Sequence, residues 1–98
     1  MVVEFDVELH SLDGSVLQDS ATQKITLKNI SVNALLTPAD EKLAGEEKLK
    51  RYNLAQKIYA STAGIDMTTE EIALVKKLIG EIYPPLIVGQ TWAMLEGK

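Results

Sequence analysis

The sequence predicts an α+β fold, in which an N-terminal antiparallel β-hairpin or three-stranded sheet packs against three or more helices. Apolar and acidic residues alternate strictly over positions 3–9, a pattern typical of a half-buried strand. After Leu27 the apolar spacing changes to that of helices. The 98 residues suffice for one domain, 1–98, which we divide into a sheet region, 1–30, and a helical region, 31–98.

Two further segments should complete the sheet. Asp13-Gly14 is a favoured pair for the centre of a type I′ hairpin turn, so residues 15–17 are expected to run back along the first strand. The polar residues 18–22 are predicted to form a loop. Alternation over residues 24–28 then predicts another strand.

Helices are predicted in the rest of the chain. Ser31 is placed to cap a short helix that ends at Thr37-Pro38, and the charged residues 40–47 are expected to form an exposed connection. Residues 46–60 are predicted to form the next helix.

The clearest helix start lies at Thr68. Glu71 follows it by three residues, which is the spacing of a capping box, and an apolar stripe at helical spacing continues from there. The prolines at 84 and 85 must end this helix near Tyr83, because proline lacks a backbone donor.

A last helix can open at Pro85, since proline is well suited to the first helical position. Its apolar stripe would consist of Val88, Trp92 and Leu95. We expect Trp92, the only tryptophan, to anchor the core.

Catalytic chemistry is poorly represented in the sequence. There is no cysteine, and the only histidine, His10, falls on the polar face of the first strand, where neighbours such as Ser11 and Asp13 should point in different directions. No metal-binding motif and no glycine-rich phosphate loop is present. We therefore predict a protein that is not an enzyme and that has no cofactor and no metal site.

The charge pattern disfavours nucleic acid as a partner. Several lysines lie near Arg51 on one predicted helix, but Arg51 is the only arginine and the net charge is −4. An acidic N-terminus is unlike a signal peptide, and no apolar stretch approaches the roughly 20 residues of a membrane span. The sequence therefore predicts a cytoplasmic protein that does not enter a membrane.

Two surfaces are candidates for protein contacts. The first is a strand edge, at residues 2–9 or 24–28, with a dimer as the simplest product. The outer face of the first strand carries three acids that could contact a partner or recruit a cation, although a hydrated face is the simpler interpretation: Glu4, Asp6 and Glu8. The alternative surface is helix 46–60, which would present Tyr52 and Tyr59 while the sheet edges are covered internally.

Three segments together resemble a small family of bacteriophage and prophage proteins: ITLKNISVNALL, GEEKLKRYNLAQKIY and TTEEIALVKKLIGEIYPPLIVGQTWAMLEG. The resemblance implies a small virus-encoded protein that works by contact with other proteins, and it assigns a role to no individual residue. It favours a virion assembly or accessory factor, for a tail or a head, located in the cytoplasm of a bacterial host or on the virion itself. The alternative is a phage-encoded inhibitor or regulator that binds a host protein.

Overall fold

A computed structural model describes residues 2–20, 23–37, 43–61 and 64–96, and it confirms the α+β class. There are four helices in these ranges: α1 Leu27–Leu36, α2 Gly45–Tyr59, α3 Thr69–Ile82 and α4 Pro85–Leu95. Two short antiparallel strand pairs accompany them, β1 Val2–Val3 with β4 Ile65–Asp66, and β2 Gln18–Ser20 with β3 Gln23–Lys24. Helix α1 packs against α2 and α3, and α4 packs against α3. No helix in the described ranges has both the length and the apolar content needed to cross a bilayer.

The alternation at the start of the chain is confirmed. Val3, Phe5 and Leu9 are buried in the core, whereas Glu4 and Asp6 are exposed. Regular strand pairing nevertheless extends over only two or three residues in each pair. The segment is therefore held in place more by the burial of alternate side chains than by a long ladder.

A closed ring of three backbone hydrogen bonds joins the N-terminal segments. The N–H of Leu9 donates to the carbonyl of Ile25 (2.9 Å), that of Ile25 to Leu17 (3.0 Å), and that of Leu17 to Leu9 (2.8 Å). Leu9 is fully buried, and Leu17 and Ile25 pack against the core. The three-segment arrangement expected from the sequence is thus present as a compact junction.

The turn at residues 11–15 differs from the predicted type I′ turn. The N–H of Gly14 donates to the carbonyl of Ser11 (3.0 Å), and the N–H of Ser11 donates to the carbonyl of Ser15 (2.9 Å). A type I′ turn needs positive φ at both central residues, but here Gly14 has φ +92° and Asp13 does not have positive φ. The loop is therefore a three-residue hairpin turn in which only Gly14 has a left-handed conformation.

The carboxylate of Asp13 explains this choice of turn. Asp13 Oδ1 accepts hydrogen bonds from the Ser11 hydroxyl, from the N–H of Ser15 (2.9 Å) and from the Ser15 hydroxyl (2.7 Å). These bonds lower the pKa of Asp13 from 3.8 to about 2, and the bond from the Ser11 hydroxyl has the largest effect. Ser11 and Asp13 therefore meet across the turn, contrary to the expectation that they point apart.

Because the pKa of Asp13 is lower in the folded than in the unfolded chain, its ionised form stabilises the fold. The contribution is complete above the unfolded pKa of 3.8 and is lost as the pH falls towards about 2. We expect Asp13→Asn to be less stable than the parent at neutral pH, with a difference that shrinks across this window. Unfolding free energies measured by urea titration at several pH values check this; a difference that is constant with pH would contradict it.

Helix α1 begins earlier than predicted, at Leu27, and of the predicted strand 24–28 only Lys24 lies in a strand, β3. The hydroxyl of Thr26 accepts from the N–H of Asn29, and Asn29 Oδ1 accepts from the N–H of Thr26, both at 3.3 Å, so that these two residues form a capping box. Ser31, predicted as the cap, is a buried helical residue whose hydroxyl has no hydrogen-bond partner in the described part of the chain. The helix ends at Thr37 as predicted.

The observed elements also differ from the predicted ones at several other places. Residues 18–20 form strand β2 rather than part of a loop, and helix α1 already begins inside the predicted sheet region. The predicted helical region contains strand β4, whose pairing with β1 ties the N-terminal segment to the α2–α3 connection. Of the predicted connection 40–47, residues 40–42 lie outside the described residues, and α2 starts at Gly45.

The capping box of α3 is confirmed. The Thr68 hydroxyl accepts from the N–H of Glu71 (3.1 Å), and Glu71 Oε1 accepts from the N–H of Thr68 (2.9 Å).

Replacing Thr68 with alanine removes this cap, so we expect the free energy of unfolding to fall by about 0.5–2 kcal/mol. Thr69→Ala, at the exposed next position, is the matched control. Chemical denaturation followed by circular dichroism measures both; equal midpoints for the two variants would show that the cap contributes nothing.

Helix α4 begins at Pro85 as predicted, but it turns a different stripe to the core. Ile87, Thr91 and Leu95 are buried, while Trp92 is 37% exposed. The prediction that Trp92 anchors the core is therefore wrong.

Trp92 instead lies across the outer side of α3. Its Nε1–H donates to the carbonyl of Lys76 (3.0 Å), and Lys76 Nζ lies 4.9 Å from the centre of its ring. A Cβ at Gly80 would come within 3.1 Å of the ring, so the glycine leaves space for the indole. Trp92 thus holds α4 against α3 from the surface.

Candidate functional site

A largely apolar concave surface lies between α1 and α2, and we call it the α1–α2 groove. It has a volume of about 740 Å³. Its lining residues come from both helices: Val32, Leu36, Tyr52, Asn53, Ala55, Gln56, Lys57, Tyr59 and Ala60. Leu36, Tyr52 and Tyr59 expose 52%, 49% and 70% of their surfaces. Apolar and aromatic groups are therefore available to a partner here.

The periodicity of α2 places its tyrosines in this groove. The residues that α2 buries follow helical spacing: Arg51, Leu54, Ala55 and Ile58. Tyr52 and Tyr59 fall outside this buried stripe and are two helical turns apart, so both point away from the core and along the same side. The hydroxyl of Tyr52 accepts a hydrogen bond from Gln56 Nε2 (3.0 Å), which fixes one wall of the groove.

Helix α1 supplies the opposite wall. Val32 and Leu36 are one turn apart, and Lys28 lies one turn before Val32 on the same side. Lys28 Nζ donates to the carbonyl of Ser61 (2.6 Å) and pairs with Asp6 (3.2 Å). The first turn of α1 is thereby tied to the end of α2 and to the N-terminal segment.

A second groove, between α2 and the start of α3, has a different character. It holds about 630 Å³ and is lined by four carboxylates, Glu46, Glu47, Glu70 and Glu71, together with two lysines and several other side chains. Lys57 pairs with Glu71 (3.7 Å) and donates to the carbonyl of Asp66 (2.9 Å). The charges of this second groove are thus partly engaged with one another, and we do not assign it a ligand.

The acidic residues of the first strand lie apart from the tyrosines. The Glu4 carboxylate accepts from the N–H of Asp6 (3.3 Å), Asp6 pairs with Lys28, and Glu8 is partly buried. Within the described ranges, no cluster of three or more metal-ligating side chains is found. The structure therefore separates the predicted acidic surface from the α1–α2 groove, whose lining includes none of these three acids.

Part of the first strand is paired with the chain itself. Val2 and Val3 pair with β4, and the carbonyls of Phe5 and Val7 accept from the N–H groups of Lys28 and Leu27 at 2.9 Å. This pairing covers one edge of the first strand, which is part of what the alternative interpretation requires when it assigns the contact surface to α2.

The backbone of the histidine contacts helix α4. His10 is exposed, and its backbone N–H donates to Gln90 Oε1 (2.8 Å), while Gln90 Nε2 donates back to the His10 carbonyl. No hydrogen bond joins its imidazole to Ser11 or Asp13 in this part of the chain, where those two residues instead close the turn.

Sequence reasoning missed the environment of Arg51, which it treated as one cation among several. Arg51 is only 8% exposed and lines a pocket of about 270 Å³ beside the α1–α2 groove. Its position three residues before Leu54 and seven before Ile58 was the available signal, because this spacing places it on the buried stripe of α2.

Comparison of the chain with protein-family models, with curated proteins and with solved structures found no match. The resemblance to bacteriophage proteins thus stays a prediction. Function is inferred from the geometry and chemistry of the described residues.

Proposed function

We propose that this protein is a non-enzymatic interaction domain that binds a partner protein in the α1–α2 groove. One observation carries the proposal: two tyrosines and two aliphatic side chains from α1 and α2 surround an open apolar groove. Tyrosine contributes a large contact area together with a polar tip, and it is enriched at protein interfaces. Exposed apolar patches of this kind commonly mark interaction sites.

The shape of the groove suits a helical or extended segment of a partner. It runs along two packed helices, and amphipathic segments commonly bind in such grooves by placing apolar side chains at regular spacing. Asn53 and Gln56, which line the groove, offer polar groups that can orient the bound segment. The partner is therefore expected to present an apolar stripe.

We further propose a biological setting, a phage or prophage protein that serves in virion assembly or in an accessory role within a bacterial host. The resemblance of three long segments to bacteriophage proteins supports this setting. The alternative, an inhibitor or regulator of a host protein, would use the same groove. The origin of the partner, virion or host, distinguishes the two roles.

The test starts with affinity capture from infected cells, followed by binding of the purified candidate partner. The parent is compared with the double variant Tyr52→Ala/Tyr59→Ala, and Leu49→Ala is the control, because Leu49 is an exposed apolar residue of α2 that lines the other groove. We expect the double variant to bind at least about 30-fold more weakly, the effect of losing one interface hot spot, and the control to bind like the parent.

A partner that binds the parent and the double variant equally would overturn the proposal. Circular dichroism of each variant ensures that loss of binding is not loss of folding. Both tyrosines are about half or more exposed, so their replacement is expected to leave the fold intact.

A further inference from the structure

Arg51 is a buried cation with too few acceptors. Its Nε and Nη1 are inaccessible and have no hydrogen-bond partner in the described part of the structure. Among the described residues, the carboxylate that pairs with Arg51 is that of Glu47, whose Oε2 lies 3.6 Å from Nε, which is too long for a hydrogen bond. A guanidinium carries five N–H donors, and leaving buried donors unpaired is energetically costly. Glu47 therefore offsets part of the charge but satisfies neither donor.

The position of Arg51 explains how its positive charge is stabilised, but it does not explain why its N–H donors are unpaired. Its pocket is bordered by Leu35, Leu36 and Thr37 at the C-terminal end of α1, where the helix dipole favours a cation. The last turn of α1 contains no basic residue of its own. A dipole stabilises positive charge without supplying acceptors in the plane of the guanidinium, so the unpaired nitrogens still require an explanation.

The pocket of Arg51 adjoins the α1–α2 groove. Leu36 and Tyr52 line both, and Lys48 adds a second cation to the smaller pocket. A bound segment could therefore place an apolar side chain in the groove and a neighbouring side chain against Arg51. About 270 Å³ accommodates a carboxylate-bearing side chain.

We propose that the Arg51 pocket receives an aspartate or glutamate side chain of the partner, adjacent to the apolar residues seated in the α1–α2 groove. This inference rests on the proposed function. The planar guanidinium fork matches a carboxylate, which can accept two parallel hydrogen bonds, one from Nη2 and one from either Nε or Nη1. A carboxylate seated in the pocket would therefore pair one of the two donors that Glu47 leaves unpaired, once exposed pocket side chains such as Lys48 shift aside. A nucleic acid is a poorer fit, because the chain has one arginine and a net charge of −4.

Nuclear magnetic resonance provides a direct test, because the single arginine gives a single Nε–Hε signal. The probes are 4-phenylbutyrate, whose ring and carboxylate imitate the two neighbouring groups, and the neutral 4-phenylbutanamide. We expect the carboxylate probe to shift the Arg51 Nε–Hε signal and the Tyr52 signals in a saturable manner. The amide should bind about tenfold more weakly, the difference expected for one charge-assisted hydrogen-bonded pair.

Three variants separate the contribution of Arg51 from that of net charge. Arg51→Met should abolish the preference for the carboxylate, whereas Lys50→Met, an equal change in charge at an exposed residue of α2 outside the pocket, should retain it. Glu47→Gln should strengthen binding of the carboxylate, because it removes a competing anion near Nε. Arg51→Met is expected to fold, since replacing a buried charge by an apolar residue of similar size is often tolerated. If Arg51→Met does not fold, the inference is tested by the titration of the parent and by the affinity of Glu47→Gln for the carboxylate probe.

An unmoved Arg51 signal at saturating carboxylate would overturn the inference, as would equal affinity for acid and amide. Equal affinity that still depends on Tyr52 and Tyr59 would leave the apolar groove, and hence the proposed function, intact. A purified partner that loses affinity in the tyrosine variant but not in Arg51→Met would likewise contradict the carboxylate pocket and support the groove.

Discussion

Replacing Phe5 with alanine is expected to lower the free energy of unfolding by about 3–5 kcal/mol. Phe5 is 0% exposed and lies in the core, and its carbonyl accepts the N–H of Lys28 at the start of α1. Removing its ring leaves a cavity where the N-terminal segment meets the helices. Because small domains are stable by only about 5–15 kcal/mol, this variant should be close to unfolded at elevated temperature.

The matched control is Leu12→Ala, in the same N-terminal hairpin but 96% exposed. Its unfolding free energy should stay within about 0.5 kcal/mol of the parent. Urea denaturation followed by circular dichroism compares the three proteins. Similar midpoints for Phe5→Ala and the parent would show that the N-terminal segment is not part of the cooperative core.

Truncating Leu95 to alanine should cost about 2–5 kcal/mol, because this last residue of α4 is fully buried. Trp92→Ala should cost less, about 1–3 kcal/mol, although tryptophan is the larger side chain. It loses a partly exposed ring, a hydrogen bond to the Lys76 carbonyl and a contact with the Lys76 ammonium.

The order of these two variants is the informative result. Thermal denaturation under identical conditions ranks them, and Met94→Ala, at a partly buried neighbouring position, gives an intermediate reference. If Trp92→Ala is less stable than Leu95→Ala, the expected order is contradicted, and Trp92 contributes more than Leu95 to the stability of the α4 packing.

Local signals predict those elements whose stabilising contacts are themselves local. Thr68 and Glu71 form a reciprocal cap within four residues, and Pro85 is suited to the first position of a helix, so both starts can be identified from sequence. The start of helix α1 is harder to identify, because residues 24–28 fit an alternating pattern as well as a helix start. Its cap also uses Asn29 where glutamate or glutamine is usual.

Contacts between distant elements are beyond sequence reasoning. The stripe of α4 that faces the core depends on the space that Gly80 of α3 leaves for Trp92. The tyrosines of α2 can be predicted as a surface, but the groove exists because α1 packs beside them. Because charged residues are rarely buried, the residue type of Arg51 favours exposure to solvent. Its side chain is nevertheless buried, because the helical register of α2 places it on the face that packs against the core.

The pairing of β1 with β4 bears on the order in which the chain folds. Val2 and Val3 meet Ile65 and Asp66, so this contact closes most of the chain into one loop. By contrast, the ring of Leu9, Leu17 and Ile25 links residues that are close together in the sequence. Closing a long loop costs more entropy than closing a short one, and contacts distant in sequence slow folding. The N-terminal junction can therefore form early. Strand β1 can pair with β4 only after the intervening chain, which includes α2, has brought the two strands together.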